Sequence, residues 1–220
     1  MTSPLRPFKK AQKPICLSFL RSIHNRPMVY KFLFSRKAPA PIKAAFLDRD
    51  GVINIDYAYV SKKEHFDFVE GALEGIRVLV EKGYAPVLIT NQSGIGRGKY
   101  TVFEFKKLCC WLEGVLAKQN TPLLAVYFCP HHPEKAFAPY LQECSCRKPA
   151  PGMLLAAQED LNINMTQSIF IGDKNSDMTA AMRADIPTRI LVQSDGFKPF
   201  DKQDCCTQTA KNLLEAAEQL

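Results

Sequence analysis

Cys129 and His131 are separated by one residue, and so are Cys144 and Cys146; twelve residues lie between the two pairs. Thiolate sulfur and imidazole nitrogen suit a tetrahedral zinc ion, and four protein ligands leave no open position for a reactive water. The pattern therefore predicts a structural zinc that pins a long loop. Arg147 and Lys148 follow Cys146 directly, so a pinned loop would present both cations at a fixed place. The competing reading is four side chains with no common ligand.

A second group of residues is suited to phosphate chemistry. Asp48 and Asp50 lie two apart in an extended segment and can point to the same side. Two carboxylates this close repel unless a divalent cation neutralises them or one keeps a proton. An oxygen-rich site of that kind suits magnesium, which favours a few carboxylates, waters and a substrate phosphate. Taken alone, Asp-x-Asp-Gly is also a common turn. Gly172-Asp173-Lys174 adds a third carboxylate, and Asp177 follows four residues on, either as part of the site or as a solvated first-turn helix acid. Thr90, Asn91, Gln92 and Ser93 offer hydroxyls and amides to phosphoryl oxygens; the alternative is a polar loop. Lys148 supplies a point charge and Arg147 a planar fork. The glycine-rich run 94–98 lacks the Lys-Ser/Thr ending of a nucleotide P-loop, so no ATP site is expected.

These groups need a scaffold, and the hydrophobic pattern supplies one. Short apolar runs at 44–47, 85–89, 123–128, 168–171 and 188–192 read as buried strands. Helical patterns fill 73–82, 102–118, 153–161 and 176–184, with a closing helix around Leu213, Leu214 and Ala217. Alternating strands and helices predict right-handed crossovers and a mainly parallel, three-layer α/β sheet. Ligands in such folds bind beyond the carboxyl ends of the strands. Asp48, Asp50, Thr90, the Cys129 loop and Asp173 all fall at such ends.

The chain has 220 residues, enough for one substantial domain, and a formal charge of +7. That charge is uneven. Residues 1–43 hold ten Lys or Arg and no acid, leaving 19 basic against 22 acidic residues in the remainder. Basicity is thus a property of the leader and argues poorly for nucleic-acid binding by the body. Residues 1–41, ending in Ala38-Pro39-Ala40-Pro41, are expected to be a disordered basic leader, with the folded domain at 42–220. A transit peptide, a plain extension, or an upstream start with Met28 as alternative initiator all fit its composition. Eight cysteines without a secretory leader point to metal ligation and free thiols rather than disulfides. No segment reaches the length of a membrane span.

Leu47-Asp48-Arg49-Asp50-Gly51, Thr90-Asn91-Gln92-Ser93, Cys129-Pro130-His131, Cys144-Ser145-Cys146-Arg147-Lys148-Pro149 and Gly172-Asp173-Lys174 together resemble haloacid-dehalogenase (HAD) superfamily phosphatases, more narrowly the heptose-bisphosphate branch. The likeness spans roughly residues 42–192. It implies a Rossmann-like HAD fold with a zinc-bound loop and a minimal cap. It also implies that Asp48 attacks phosphorus to give an aspartyl phosphate, and that Asp50 protonates the leaving oxygen and then deprotonates water. Thr90 and Lys148 would hold the phosphoryl oxygens. Asp48, the Asp50 carbonyl and Asp173 would bind magnesium. Asp56, Tyr57, Ala58, Tyr59, Asn91, Gln92, Ser93, Arg147 and Lys174 match substrate-contacting stretches. Val52 stands where Thr is frequent in the family, which should leave the chemistry intact. The implied setting is a cytoplasmic, monomeric enzyme of lipopolysaccharide-core heptose synthesis, acting on a small phosphorylated sugar, with no nucleic-acid or membrane partner. Histidinol-phosphate phosphatases are the nearest alternative, but the longer 135–141 stretch between the ligand pairs favours the heptose branch. A zinc-stabilised binding module is the non-enzyme reading.

Overall fold

A computed structural model describes residues 29–193 and 205–220. Its strands are β1 Tyr30–Leu33, β2 Ala44–Leu47, β3 Ala85–Asn91, β4 Ala125–Cys129, β5 Ile169–Gly172, β6 Thr188–Val192 and β7 Gln208–Ala210. Its helices are α1 Ala72–Glu81, α2 Ser93–Gly96, α3 Val102–Lys118, α4 Gly152–Leu161, α5 Asn175–Arg183 and α6 Leu213–Glu218. The strands form one sheet in the order β1-β4-β3-β2-β5-β6-β7. Every neighbouring pair is parallel except β1 with β4.

Successive strand residues face opposite ways, and the core divides accordingly. Ala45 and Leu47 of β2 pack with Ile76 of α1, Phe105 and Leu112 of α3, and Leu213 of α6. Ala44 and Phe46 pack with Leu154 of α4 and Met178 of α5 on the other face. With both faces covered, β2, β4 and β5 are buried at every position, which is why they read as uninterrupted apolar runs. This is the three-layer α/β arrangement expected. Helix α3 begins where its sequence signals it: Thr101 Oγ1 accepts from the Glu104 amide at 3.1 Å, and Glu104 accepts from the Thr101 amide at 2.8 Å.

The expected domain boundary at residue 42 is corrected by β1. Tyr30, Lys31, Phe32 and Leu33 pair in register with Phe128, Tyr127, Val126 and Ala125. Tyr30 and Phe32 are buried, and the half-buried Lys31 reaches Asp160 of α4 at 2.6 Å. The aromatics of β1 alternate with Lys31 and Leu33, but the acid-free composition of 1–43 obscures the strand by making the whole stretch look like one leader. Residues 1–28 lie outside the described residues. Strand β7 and the single turn α2 were also unanticipated; three or four residues are too few to show a period.

Candidate active site

Strands β2 and β5 are neighbours, and their carboxyl ends bring Asp48 and Asp173 together. Carboxylate oxygens of Asp48, Asp173 and Asp177 lie within 4.8 Å of one another. Asp177 is fully buried on the first turn of α5, so the solvated-helix-acid reading fails. Gly172 makes this close approach possible. A Cβ there would sit 2.5 Å from Asp177 Cβ, a distance no side chain tolerates.

Lys148 enters this cluster from the loop after Cys146. Its Nζ lies 3.0 Å from Asp48, 2.7 Å from Asp177 and 2.7 Å from the Ile89 carbonyl oxygen of β3. Burial works against its charge, but Asp177 and Asp48 overcome this and raise its pKa. At Asp173 the Lys174 and Lys148 charges do not offset the opposing effects. Burial, then the Asp48 and Asp177 charges, push it up to about 8, and its Oδ1 is buried without a hydrogen-bond partner among the described residues. Three crowded carboxylates with an orphaned oxygen fit a hard divalent cation such as magnesium. The Asp50 carboxylate is not in this cluster; the family resemblance implies its main-chain carbonyl, not its side chain, as a ligand.

The Asp50 carboxylate is instead held from two sides. Arg49, 1% exposed, donates through Nη2 to both carboxylate oxygens at 2.6 and 2.8 Å. Asn54 Nδ2 donates to it at 3.0 Å and Gln92 Nε2 at 3.0 Å. Burial would raise the Asp50 pKa; the Arg49 charge and these hydrogen bonds outweigh it and hold it below the usual carboxylate range. Gln92 also donates to Thr90 Oγ1 at 2.8 Å and accepts from the Tyr100 hydroxyl. Arg49, Asn54 and Tyr100 were missed as site residues, because a buried cation inside a strand-end motif leaves no periodic trace.

The predicted residues largely converge. Asp48, Asp50, Thr90 and Lys148 line one cavity of about 260 Å³, together with Asp56, Ala58, Tyr59, Asn91, Gln92, Ser93 and Lys174. That is a little below the ~300–1,000 Å³ of pockets that enclose a whole ligand. Asn91 also clamps the basic loop. Its Oδ1 accepts from the Lys148 amide and its Nδ2 donates to the Lys148 carbonyl, both at 3.1 Å. Lys174 lies 3.4 Å from both Asp56 and Asp173. Tyr57 and Arg147 are outside the lining: Tyr57 is 55% exposed, and Arg147 donates to the His131 carbonyl at 3.1 Å.

The four expected zinc ligands also meet. Cys129, Cys144 and Cys146 sulfurs are 3.3 to 3.6 Å apart, and His131 Nδ1 lies 3.6 Å from Cys129 and 3.5 Å from Cys146. Bonds of roughly 2.0 to 2.3 Å to a central zinc give tetrahedral edges of about 3.5 to 3.8 Å. A disulfide needs about 2.05 Å, so the sulfurs are not bonded. Hydrogen bonding to Cys144 and Cys146, with burial, pushes the Cys129 thiol up, while the same bonds pull Cys144 down. A cation that accepts thiolates relieves this crowding, and the donor set fits zinc.

A mainly parallel sheet carrying Asp-x-Asp beyond β2, Thr90 at the end of β3, Lys148 beside both and Asp173 beyond β5 defines a HAD-type phosphatase. A HAD-hydrolase-like family model matches residues 145–216. The D-glycero-beta-D-manno-heptose-1,7-bisphosphate 7-phosphatase of Yersinia pestis is 48% identical over 153 residues, covering 70% of this chain and 81% of its own. That of Vibrio cholerae is 46% identical over 160 residues, covering 73% and 85%. Among solved structures, the D,D-heptose 1,7-bisphosphate phosphatase of B. bronchiseptica, complexed with magnesium and phosphate, has 29% identity and a TM-score of 0.67, over 81% of this chain and 97% of that one. A HAD-like phosphatase of Mesorhizobium loti has 30% identity and a TM-score of 0.74, over 89% and 96%. This chain belongs to the D-glycero-beta-D-manno-heptose-1,7-bisphosphate 7-phosphatase family.

Proposed function

We propose that this chain removes the C7 phosphate of D-glycero-beta-D-manno-heptose 1,7-bisphosphate with magnesium, through an aspartyl phosphate on Asp48. The observation that carries the reading is the convergence of Asp48, Asp50, Thr90 and Lys148 on one cavity, in a chain 48% identical to such an enzyme. Asp48 attacks phosphorus, and its carboxylate is steered by the Lys148 ammonium and by the Arg49 amide, which donates to Oδ1 at 2.8 Å. Lys148 and Thr90 hold the phosphoryl oxygens as negative charge builds. Asp48, Asp173 and the Asp50 carbonyl would hold the magnesium, which shields the phosphate dianion from the carboxylate nucleophile.

Asp50 serves both half-reactions. In the free site it is ionised, the form needed to deprotonate the water that cleaves the aspartyl phosphate. An incoming phosphate dianion raises its proton affinity, so it carries a proton to the leaving sugar oxygen in the first half. Gln92 and Arg49 keep it aimed throughout. Asp56, Tyr57, Ala58, Tyr59, Ser93 and Lys174 form the rim that meets the sugar, and Arg147 recognises its far end. No inserted domain separates β2 from α1, and the connection 48–71 between them acts as the minimal cap.

The four-ligand loop holds one structural zinc, and the enzyme works as a cytoplasmic monomer in heptose supply for lipopolysaccharide core. The stretch 135–141, which favours the heptose branch over histidinol phosphate, is tied down by the Phe137 amide donating to the Gly96 carbonyl at 2.7 Å. Phosphate release from both anomers of the bisphosphate, histidinol phosphate and simple sugar phosphates tests the reading, with and without magnesium. The heptose bisphosphate is expected to give the highest kcat/KM, only with the metal. A preference for histidinol phosphate would overturn it.

A further inference from the structure

We infer that Tyr30, on the amino-terminal edge strand, is a positioning residue for the zinc loop and, through it, for Arg147. The inference rests on the zinc reading above. Strand β1 runs antiparallel to β4, so Tyr30 pairs with Phe128 immediately before the ligand Cys129. Its buried ring lies 5.6 Å from the His131 ring at 69°, edge to face, and 6.2 Å from that of Tyr140. Tyr140 in turn lies 6.1 Å from His131.

His131 turns Nδ1 toward the Cys129 and Cys146 sulfurs, which leaves Nε2 facing away. A zinc-bound imidazole ordinarily donates its second nitrogen to a carboxylate, carbonyl or water that fixes the ring. Here Nε2 is buried and has no hydrogen-bond partner among the described residues. The orientation of this ligand therefore depends on the aromatic walls, and among the described residues Tyr30 supplies the one that comes from outside the loop. Lys31, bound to Asp160 at 2.6 Å, and Phe32, 5.0 Å from the Phe128 ring, keep the strand in register. The link continues to the substrate side, because the His131 carbonyl accepts from Arg147 Nη1 at 3.1 Å.

The test compares zinc transfer from the full-length, zinc-loaded protein to a chromophoric chelator in Tyr30→Leu, Tyr30→Phe and Phe32→Leu variants. Loss of an outer-shell partner commonly costs about 10 to 100-fold in metal affinity, so Tyr30→Leu is expected to release zinc at least about 10-fold faster. Tyr30→Phe, which keeps the ring, should release it more slowly than Tyr30→Leu. Phe32→Leu trims the same strand away from the ligands and should lower the melting temperature without hastening release. KM should rise in Tyr30→Leu more than kcat falls. Wild-type release from Tyr30→Leu, or release that follows lost stability equally in both leucine variants, overturns the inference. Should Tyr30→Leu not fold, Tyr30→Met fills the space without a ring and is read the same way. A wild-type chain that holds no zinc overturns the ligand-loop reading and this inference together, whereas zinc held equally well by wild type and variant overturns this inference alone.

Discussion

Buried between Asp48, Asp177 and the Ile89 carbonyl, Lys148 is the counter-ion of the cluster and, in the proposed reaction, also the cation that holds the phosphoryl oxygens. Lys148→Met should therefore fail in two ways. Removing one donor of a charge-stabilising site costs about 10² to 10³-fold in kcat. Leaving buried carboxylates unpaired costs roughly 3 to 5 kcal/mol. Phosphate release and denaturant unfolding measured on the same preparation separate the two losses. Arg49 acts differently, because it faces Asp50 alone of the carboxylates described. The depressed Asp50 pKa means that this pair stabilises the fold above the unfolded-state carboxylate pKa, and the gain is lost as pH falls through the folded value. In Arg49→Met, burial acts unopposed by that charge and the Asp50 pKa rises. The acid limb of the kcat–pH profile, where Asp50 loses its function as a base, should then move to higher pH. An unmoved limb would show that Arg49 does not tune Asp50. Sequence spacing made Asp48, Asp50, Thr90 and Asp173 visible at the ends of apolar runs, and Lys148 visible beside the Cys144 and Cys146 pair. Asn54 and Tyr100 stayed hidden and the inward role of Asp177 stayed open, because they reach the site from loops and a helix turn whose direction depends on tertiary packing.

At the scale of elements, β2, α3 and β6 were legible to the residue, since both faces of the sheet are covered and α3 carries its own capping box. Strand β1 was not, although Tyr30 and Phe32 alternate with Lys31 and Leu33 as an edge strand should. Its recovery changes the expectation for truncation. A chain beginning at Val29 should retain turnover and stability. A chain beginning at Ile42, once expected to be whole, loses two buried aromatic side chains worth about 1.5 to 3 kcal/mol each and uncovers the edge of β4. It should melt lower and lose turnover, as measured by thermal unfolding and phosphate release. Equal behaviour of the two truncations would show that β1 is dispensable.

For the whole molecule, the one reversed strand decides where the two ends of the fold lie. Six parallel strands point their carboxyl ends to the catalytic side, and β1, running the other way, begins there. The chain thus enters the described fold at Val29 next to the ligand loop. Helix α6 starts beside Gly71 and Gly75 at the head of α1 and finishes where Lys82 donates to the Ala217 and Glu218 carbonyls. It ends on the far side of the sheet. A tag joined directly to Val29, in a chain shortened to begin there, will leave the body on the catalytic side of the sheet, beside the zinc loop. A surface anchor, fluorophore or affinity handle placed after Leu220 projects from the opposite pole, where immobilisation leaves the mouth of the enzyme open.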